Sequence, residues 1–243
     1  MTDIIKRWAT GSDLTEGVAE LLMARLVELQ AGTDGAVHLC LTGGRIANRI
    51  YASFADLVEE SDLDPTRIEL WWGNESFATT EDAERNAGHT LAILARTLPL
   101  TAARTHAMPA ADGTSDNDAS ALTYAKELGD TVFDICLLGM GEDGHVAAIF
   151  PNHPSFEETT RTVIGVNDSP KPPSSRISLT VPTLNRSREV WYLIAGADKA
   201  EAVARARAGD PSIPGGVVRG RERTVWLLDR AAAADLPYHE CTF

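Results

Sequence analysis

The stretch LLGMGEDGHVAAIF, residues 137–150, follows an apolar run at 132–138 and fits two incompatible structures. Gly139, Gly141 and Gly144 spell the G-x-G-x-x-G of a dinucleotide-binding turn. The next residue, His145, falls where a helix is predicted to begin, which is a suitable place for a catalytic base. The loop therefore predicts one of two sites: a site that binds the pyrophosphate of a dinucleotide cofactor, or a site in which His145 faces a substrate.

The residues after His145 argue against a dinucleotide. Such a turn needs a true helix behind its last glycine, because the amino end of that helix holds the pyrophosphate. Pro151 comes six residues after His145, and a proline inside a helix costs about 3 kcal/mol, so the predicted helix is barely one turn long. The acidic residue expected about 20 positions on would be Asp168, which lies in NDSPKPP and not at a strand end. We therefore predict no dinucleotide cofactor.

A histidine at the start of a helix is suited to accept a proton. The helix dipole disfavours the imidazolium, so His145 is expected to be neutral near pH 7. The three glycines let the backbone approach a ligand with its amide groups exposed. Alternatively, the histidine only caps the helix or bonds a carbonyl group, and this loop alone leaves both interpretations open.

Outward from this loop, strand and helix patterns alternate along the chain. Asp13 and Glu16 predict a capping box for a first helix that ends at Gly32. The later helices are predicted at 46–60, 81–97, 117–128 and 198–208, and the strands at 36–41, 68–72, 106–109, 132–138, 190–196 and 224–229. This alternation predicts an open, mostly parallel, Rossmann-like α/β sheet with helices on both faces, in a single domain over residues 1–243.

The overall charge restricts the possible partners. The chain of 243 residues has a formal net charge of −13, which makes nucleic acid and anionic membranes poor partners. There is no window of about 18 uninterrupted apolar residues, which a membrane span would need. An anionic small molecule is compatible with this charge if local cations overcome it.

The cysteines and the N-terminus predict a cytoplasmic protein. Cys40 and Cys136 lie inside apolar runs and Cys241 lies near the C-terminus, a scatter that favours reduced thiols. The first residues, MTDIIKRWATGSD, lack the apolar core of a signal peptide.

Three loops follow predicted strands, at 42–45, 73–77 and 139–145. In open α/β sheets, ligands bind at the carboxyl ends of the strands. All three loops are therefore expected to face one crevice.

The motifs in these loops resemble those of the 6-phosphogluconolactonases, a family within the glucosamine/galactosamine-6-phosphate isomerase superfamily. The resemblance runs from about residue 36 to the C-terminus and is carried by TGG (42–44), WWGNESF (71–77), ERN (84–86), LLGMGEDGHVAAIFP (137–151), SPKPPSSRISLTVPTLN (169–185) and GADKAEAV (196–203). It implies hydrolysis of 6-phosphoglucono-1,5-lactone to 6-phosphogluconate, in the oxidative pentose phosphate pathway. It also implies that no metal or cofactor is needed, and a fold shared with sugar-phosphate isomerases and amino-sugar-phosphate deaminases.

The resemblance assigns the catalytic histidine of the family to His145, which we expect to act as general base. Asp143 would orient this histidine or only shape the turn. The remaining expected contacts are backbone groups and cations that bind the oxyanion or the phosphate of the substrate: Gly43, Gly44, Gly141, Gly144, Lys171 and Arg176. For the glycine pair, a plain strand-to-helix turn is the alternative, and for Lys171 a solvated surface position.

The sequence departs from the family pattern after the second predicted strand. The family usually reads W-G-D-E-R-F, with the aspartate and the arginine in the site, whereas this chain has Asn74 and Ser76 there. Asn74 cannot stabilise an imidazolium by charge, and Ser76 cannot clamp a phosphate as arginine does. Arg45 replaces the usual serine after the glycine pair and is predicted to supply the missing cation, with Arg49 one turn behind it. Alternatively, both arginines are merely exposed.

Three functions therefore remain open. The first is the lactonase, a monomer acting on a small sugar-phosphate lactone. The second is a deaminase or isomerase of the same fold, although in the deaminases the histidine block continues H-I-A-F-N-E-P and here it continues VAAIFP. The third is a sugar-phosphate-binding protein without catalysis, suggested by Asn74 and Ser76.

Overall fold

A parallel sheet of seven strands lies at the centre of the molecule, in a computed structural model that describes residues 2–237. The chain order of all strands is β1 (Thr2–Trp8), β2 (Val37–Leu41), β3 (Ile68–Trp72), β4 (Asn74–Ser76), β5 (Thr105–His106), β6 (Ile135–Leu138), β7 (Val163–Val166), β8 (Arg176–Leu179), β9 (Glu189–Ile194) and β10 (Arg223–Asp229). The central sheet has the spatial order β1-β10-β9-β6-β2-β3-β5, and every pair in it is parallel.

Helices cover both faces of this sheet. The described helices are α1 (Gly11–Ala31), α2 (Arg45–Leu57), α3 (Asn86–Leu94), α4 (Asn117–Leu128), α5 (Pro154–Glu157), α6 (Val181–Leu184), α7 (Ala200–Arg207) and α8 (Pro214–Val217). The first three pack their apolar sides on one face, where Leu14, Val18 and Leu22 of α1 are buried. Tyr124 of α4 and Val203 of α7 are buried on the other face. The predicted fold class is confirmed.

The order of the strands locates the crevice of the sheet. From β2 the chain continues through β3 to β5 on one side, whereas β6, β9 and β10 follow one another on the other side. The neighbours β2 and β6 therefore form the topological switch point, where the loops at their carboxyl ends leave a crevice.

A second sheet was not expected from the sequence. Its three antiparallel strands have the order β4-β8-β7, with Asn74 opposite Ser178 and Ser76 opposite Arg176. Strand β4 begins directly after Gly73, the residue that follows the predicted strand at 68–72. The chain therefore leaves the central sheet at this glycine and enters the second sheet. This brings the 73–77 loop and the start of β8 together at one edge of the crevice.

Other local expectations need correction. The capping box of α1 joins Thr10 and Asp13, not Asp13 and Glu16. The N-terminal strand β1 was not predicted, and the 106–109 strand is reduced to Thr105–His106. Among residues 2–237, no helix has the length and apolarity needed to cross a membrane.

The two cysteines inside the sheet should be chemically inert in the folded protein. Cys40 and Cys136 are neighbours on β2 and β6, and both have no exposed surface. Burial raises the pKa of the Cys40 thiol well above its ordinary value, and it is the thiolate that reacts. We expect peptide mapping to find neither residue alkylated by iodoacetamide in the native protein and both alkylated in guanidinium. Native labelling of either one would contradict this packing. Cys241 lies outside the described residues.

Candidate active site

A cavity of about 390 Å³ lies at the carboxyl ends of β2, β6 and β9. It brings together the loops that the sequence predicted to meet. The residues predicted for the site that line it are Gly43, Gly44, Asn74, Gly141, His145, Lys171 and Arg176.

His145 and Asp143 form a hydrogen-bonded pair at this cavity. The Nδ1 of His145 lies 2.6 Å from Oδ1 of Asp143, so the ring donates from Nδ1 to the carboxylate, which can only accept. In the neutral ring the lone pair is then on Nε2, which has no hydrogen-bond partner among residues 2–237. Partial burial would raise the pKa of Asp143, but the hydrogen bond and charge of the His145 ring hold it well below its ordinary value of 3.8.

The expected helix after His145 does not form, so the dipole argument for this histidine was wrong. The segment makes a bridge between Val146 and Ile149 with a turn in between. The amide of Gly141 donates to the carbonyl of His145 over 2.9 Å, which folds the loop back on itself. A Cβ at Gly141 would overlap the His145 ring, so this close approach requires glycine. Asp143, not a helix, orients the imidazole.

Lys171 is directed to the same end of the cavity. Its Nζ lies 3.1 Å from Oε1 of Glu142 and 4.0 Å from Oδ1 of Asp143. The lysine is therefore close to the histidine pair, although Glu142 partly satisfies its charge. Because both side chains are more than a third exposed, this ion pair is weak and can exchange for a ligand.

Arg176 holds the loop that carries Lys171. Its Nη2 donates to the carbonyl oxygens of Lys171 and Pro172 over 3.1 and 2.7 Å, and its Nε donates to that of Pro173 over 3.0 Å. Burial lowers the pKa of Arg176, and the charges of Glu84 and Glu75 oppose this shift. Most of its donors are thus committed to the loop, so Arg176 shapes the lysine's position while lining the cavity.

Lys199 is a cation of the cavity that sequence reasoning missed. It ends the short 3-10 helix Ala197–Lys199 after β9, and its Nζ lies 2.9 Å from Oδ2 of Asp198. The hydrogen bond from Lys199 lowers the pKa of Asp198, and the charge of Arg45 adds to this effect. Lys199 lines the cavity together with Gly44 and Ile46 at the start of α2. The rule that ligands bind at strand ends, applied to the GADKAEAV block, would have found it.

Arg45 and Gly144, which were predicted to bind the substrate, do not line the cavity, and neither do Arg49 and Ser76. Arg45 and Arg49 are exposed on α2 and do not line it. The backbone of Gly144 faces away, with its carbonyl accepting the amide of Gly215 over 2.9 Å. Ser76 is buried opposite Arg176. Lys199, and not Arg45, lines this side of the cavity, and the role of Arg45 as the missing cation stays a prediction.

Asn74 is buried and lines the cavity, but it shares no hydrogen bond with His145 among the described residues. The carboxylate partner of the imidazole is Asp143, so the charge that Asn74 lacks does not leave the histidine unpaired. Within residues 2–237, no group of three or more histidine, cysteine, aspartate or glutamate side chains could hold a metal ion.

Comparisons with known proteins agree with these motifs. A family model described as glucosamine-6-phosphate isomerases/6-phosphogluconolactonase matches residues 9–226. The 6-phosphogluconolactonase of Streptomyces coelicolor is 46% identical over 238 residues, covering 92% of this chain and 91% of that protein. The corresponding protein of Mycobacterium tuberculosis is 40% identical, with 93% and 96% covered. The crystal structure of 6-phosphogluconolactonase from Thermotoga maritima superimposes with a TM-score of 0.83 at 25% identity, covering 94% of this chain and 100% of that one. The chain therefore belongs to the glucosamine-6-phosphate isomerase/6-phosphogluconolactonase family.

Proposed function

We propose that this protein is a 6-phosphogluconolactonase, which hydrolyses the ring ester of 6-phospho-D-glucono-1,5-lactone to 6-phosphogluconate. Relatives of that name match over most of the chain. The single observation that carries the chemistry is the His145–Asp143 pair. The Nε2 of His145 has no hydrogen-bond partner in the part of the chain that the structure describes, and its ring lines a cavity together with Lys171, Arg176 and Lys199.

In the proposed reaction, Nε2 of His145 takes a proton from a water molecule as the water oxygen bonds to the lactone carbonyl carbon. Asp143 stabilises the imidazolium that forms by accepting its Nδ1–H. The carbonyl oxygen becomes an oxyanion, and Lys171, whose Nζ lies 4.0 Å from Oδ1 of Asp143, supplies a positive charge for it. Collapse of the intermediate breaks the bond from carbon to ring oxygen, and the imidazolium returns the proton to that oxygen. The new carboxylic acid ionises in solution.

The phosphate of the substrate is proposed to bind at the other end of the cavity. Gly44 is the N-cap of α2 and provides no side-chain cap, so the first amide groups of this helix are available to an anion. Gly43 and Gly44 line the cavity there, together with Lys199. A dianion at this position would place the lactone ring between Lys199 and His145.

A coupled assay tests this function. Freshly prepared lactone is supplied with 6-phosphogluconate dehydrogenase and NADP, and NADPH formation is compared with the rate of spontaneous ring opening. We expect the protein to accelerate hydrolysis many-fold, and equally in the presence of a chelator, because we propose no metal or cofactor. If the protein instead converts glucosamine-6-phosphate, the isomerase or deaminase function is correct. If it binds 6-phosphogluconate without accelerating hydrolysis, it is a binding protein.

We also propose that the chain acts as a monomeric single domain in the cytoplasm, without nucleic-acid or membrane partners. The net charge of −13 supports the last point. Size-exclusion chromatography with light scattering measures the oligomeric state, and a dimer mass would contradict the monomer.

A further inference from the structure

A fully buried carboxylate, that of Glu75, is hydrogen-bonded to Asn86 of the cavity wall without lining the cavity itself. Glu75 has no exposed surface and lies on β4 next to Asn74. Its Oε1 accepts the amides of Ser76 and Asn86 over 2.8 and 2.7 Å, and its Oε2 accepts the amide of Ala87 over 2.8 Å. Both oxygens are therefore occupied by backbone groups, as a buried carboxylate requires.

Two of these bonds cap helix α3 from a distant part of the chain. Asn86 and Ala87 are the first residues of α3, and the N-cap residue Arg85 provides no side-chain cap. Glu75, which lies 11 residues before Asn86 and 12 residues before Ala87, caps the helix instead. The guanidinium of Arg85 lies 4.0 Å from the carboxylate and balances its charge in the interior. The start of α3 is thereby fixed against β4.

The residue fixed in this way is part of the cavity wall. Asn86 lines the cavity, and its Nδ2 donates to the carbonyl of Asn74 over 3.2 Å. Its Oδ1 packs against Gly43 so closely that a Cβ at Gly43 would overlap it. Asn86 thus packs against the glycine turn within the cavity wall and restricts its position.

We propose that Glu75 is a positioning residue for phosphate binding, which acts through Asn86 to hold the Gly43–Gly44 turn in the conformation that presents its amides. The proposal rests on the proposed function for the identity of the anion. It also assigns a role to the ERN segment at 84–86, whose asparagine is the link between carboxylate and turn.

If Glu75 only capped α3, its replacement would have a different effect on the protein. Loss of such a cap lowers the stability of α3 but leaves the affinity of the folded protein for phosphate unchanged. A positioning role predicts weaker phosphate binding in protein that is fully folded, because misplaced amides lose contact with the anion.

The test compares Glu75→Gln with Glu189→Gln. In Glu75→Gln, the new side chain would turn an amide nitrogen toward at least one backbone N–H that now has an acceptor. Glu189 is a matched control, since it is also a buried carboxylate, 1% exposed, and is hydrogen-bonded to Arg25 and Trp191. It begins β9, at the end of the strand away from the cavity. The readouts are thermal unfolding, KM and kcat for the lactone, and calorimetric binding of inorganic phosphate.

We expect both variants to lose stability, but only Glu75→Gln to raise KM and the phosphate Kd, by about tenfold, with kcat changed by less than about threefold. Equal KM and Kd in Glu75→Gln and Glu189→Gln would overturn the proposal. If Glu75→Gln does not fold, Asn86→Ala decides, because it keeps the backbone amides that Glu75 bonds. It should raise the phosphate Kd similarly, and an unchanged Kd would overturn the proposal.

The phosphate measurement separates this proposal from the proposed function. A parent that binds phosphate but hydrolyses no lactone, with binding weakened by Glu75→Gln, would support the positioning role and reject the lactonase. A parent that binds no phosphate would overturn the positioning role whatever its activity. If Glu75→Gln and Asn86→Ala both fold, the double variant is also measured. Its Kd for phosphate should be no higher than that of either single variant, because Glu75 acts through Asn86.

Discussion

Replacing His145 with alanine is expected to lower kcat for lactone hydrolysis by at least about 100-fold, the usual contribution of a positioned general base. KM should change little, because the imidazole acts on the attacking water and not on the phosphate. The fold should be retained, since the ring is at the cavity surface and its removal leaves the strands of the sheet intact. The coupled assay, corrected for spontaneous opening, measures this loss.

His153→Ala is the matched control for this prediction. It removes an imidazole only eight positions along the chain, whose ring nitrogens bond Ser155 and the carbonyl of Asn167 outside the cavity. Its kcat should stay within about twofold of the parent. If His145→Ala hydrolyses lactone as fast as His153→Ala, His145 is not the base.

The pH dependence of kcat gives a second check on the same histidine. Folding lowers the pKa of Asp143 below its ordinary value of 3.8. The ionised carboxylate therefore contributes its full share to the free energy of unfolding above pH 3.8, and this share is lost only as the pH falls through the lower, folded-state pKa. Any loss of kcat between about pH 5 and 7 must therefore come from the protonation of a group other than Asp143. The pH profiles of the parent and of His145→Ala are compared, because a loss of kcat that persists in the variant belongs to a residue other than His145.

Replacing Lys199 with alanine is expected to raise KM for the lactone by roughly 10- to 100-fold, which corresponds to the loss of one charge-assisted contact of about 1.5–3 kcal/mol. The effect should fall mainly on KM, because the phosphate keeps the same charge in the ground state and the transition state. The side chain is 22% exposed, so part of its charge is already shielded from water. Steady-state kinetics on the variant measures both constants.

Arg45→Ala is the control for Lys199→Ala. Both cations are near Asp198, but only Lys199 lines the cavity. We therefore expect Arg45→Ala to change KM by less than about threefold. A larger rise in KM for Arg45→Ala than for Lys199→Ala would show that the arginine, as the sequence first suggested, is the phosphate ligand.

The regular elements could be predicted where hydrophobic periodicity was strong. The predicted helix at 117–128 and the strand at 68–72 match α4 and β3 residue for residue. Strand β4 has only three residues and belongs to a different sheet from the strand one residue before it, so no periodicity could reveal it.

The composition of the candidate site could be predicted only in part, because side-chain contacts depend on tertiary structure. His145 lies at the cavity, as the loop and the family resemblance predicted, but a bridge at Val146 and Ile149 replaces the helix expected after it. Glycine spacing predicts a turn but not whether a helix follows it. The bond between Asp143 and His145 depends on the turn folding back at Gly141, which sequence spacing does not specify.

The Glu142–Lys171 pair at the mouth of the cavity has a consequence for product inhibition. Hydrolysis of an uncharged ester leaves a carboxylate, so the ligand gains one negative charge at the end of the cavity that holds Asp143 and Glu142. To retain that carboxylate, Lys171 must give up Glu142, and the ligand must remain close to two acidic side chains. We therefore expect the acid formed in each turnover to bind less favourably there than the ester it replaces, which favours release of the product.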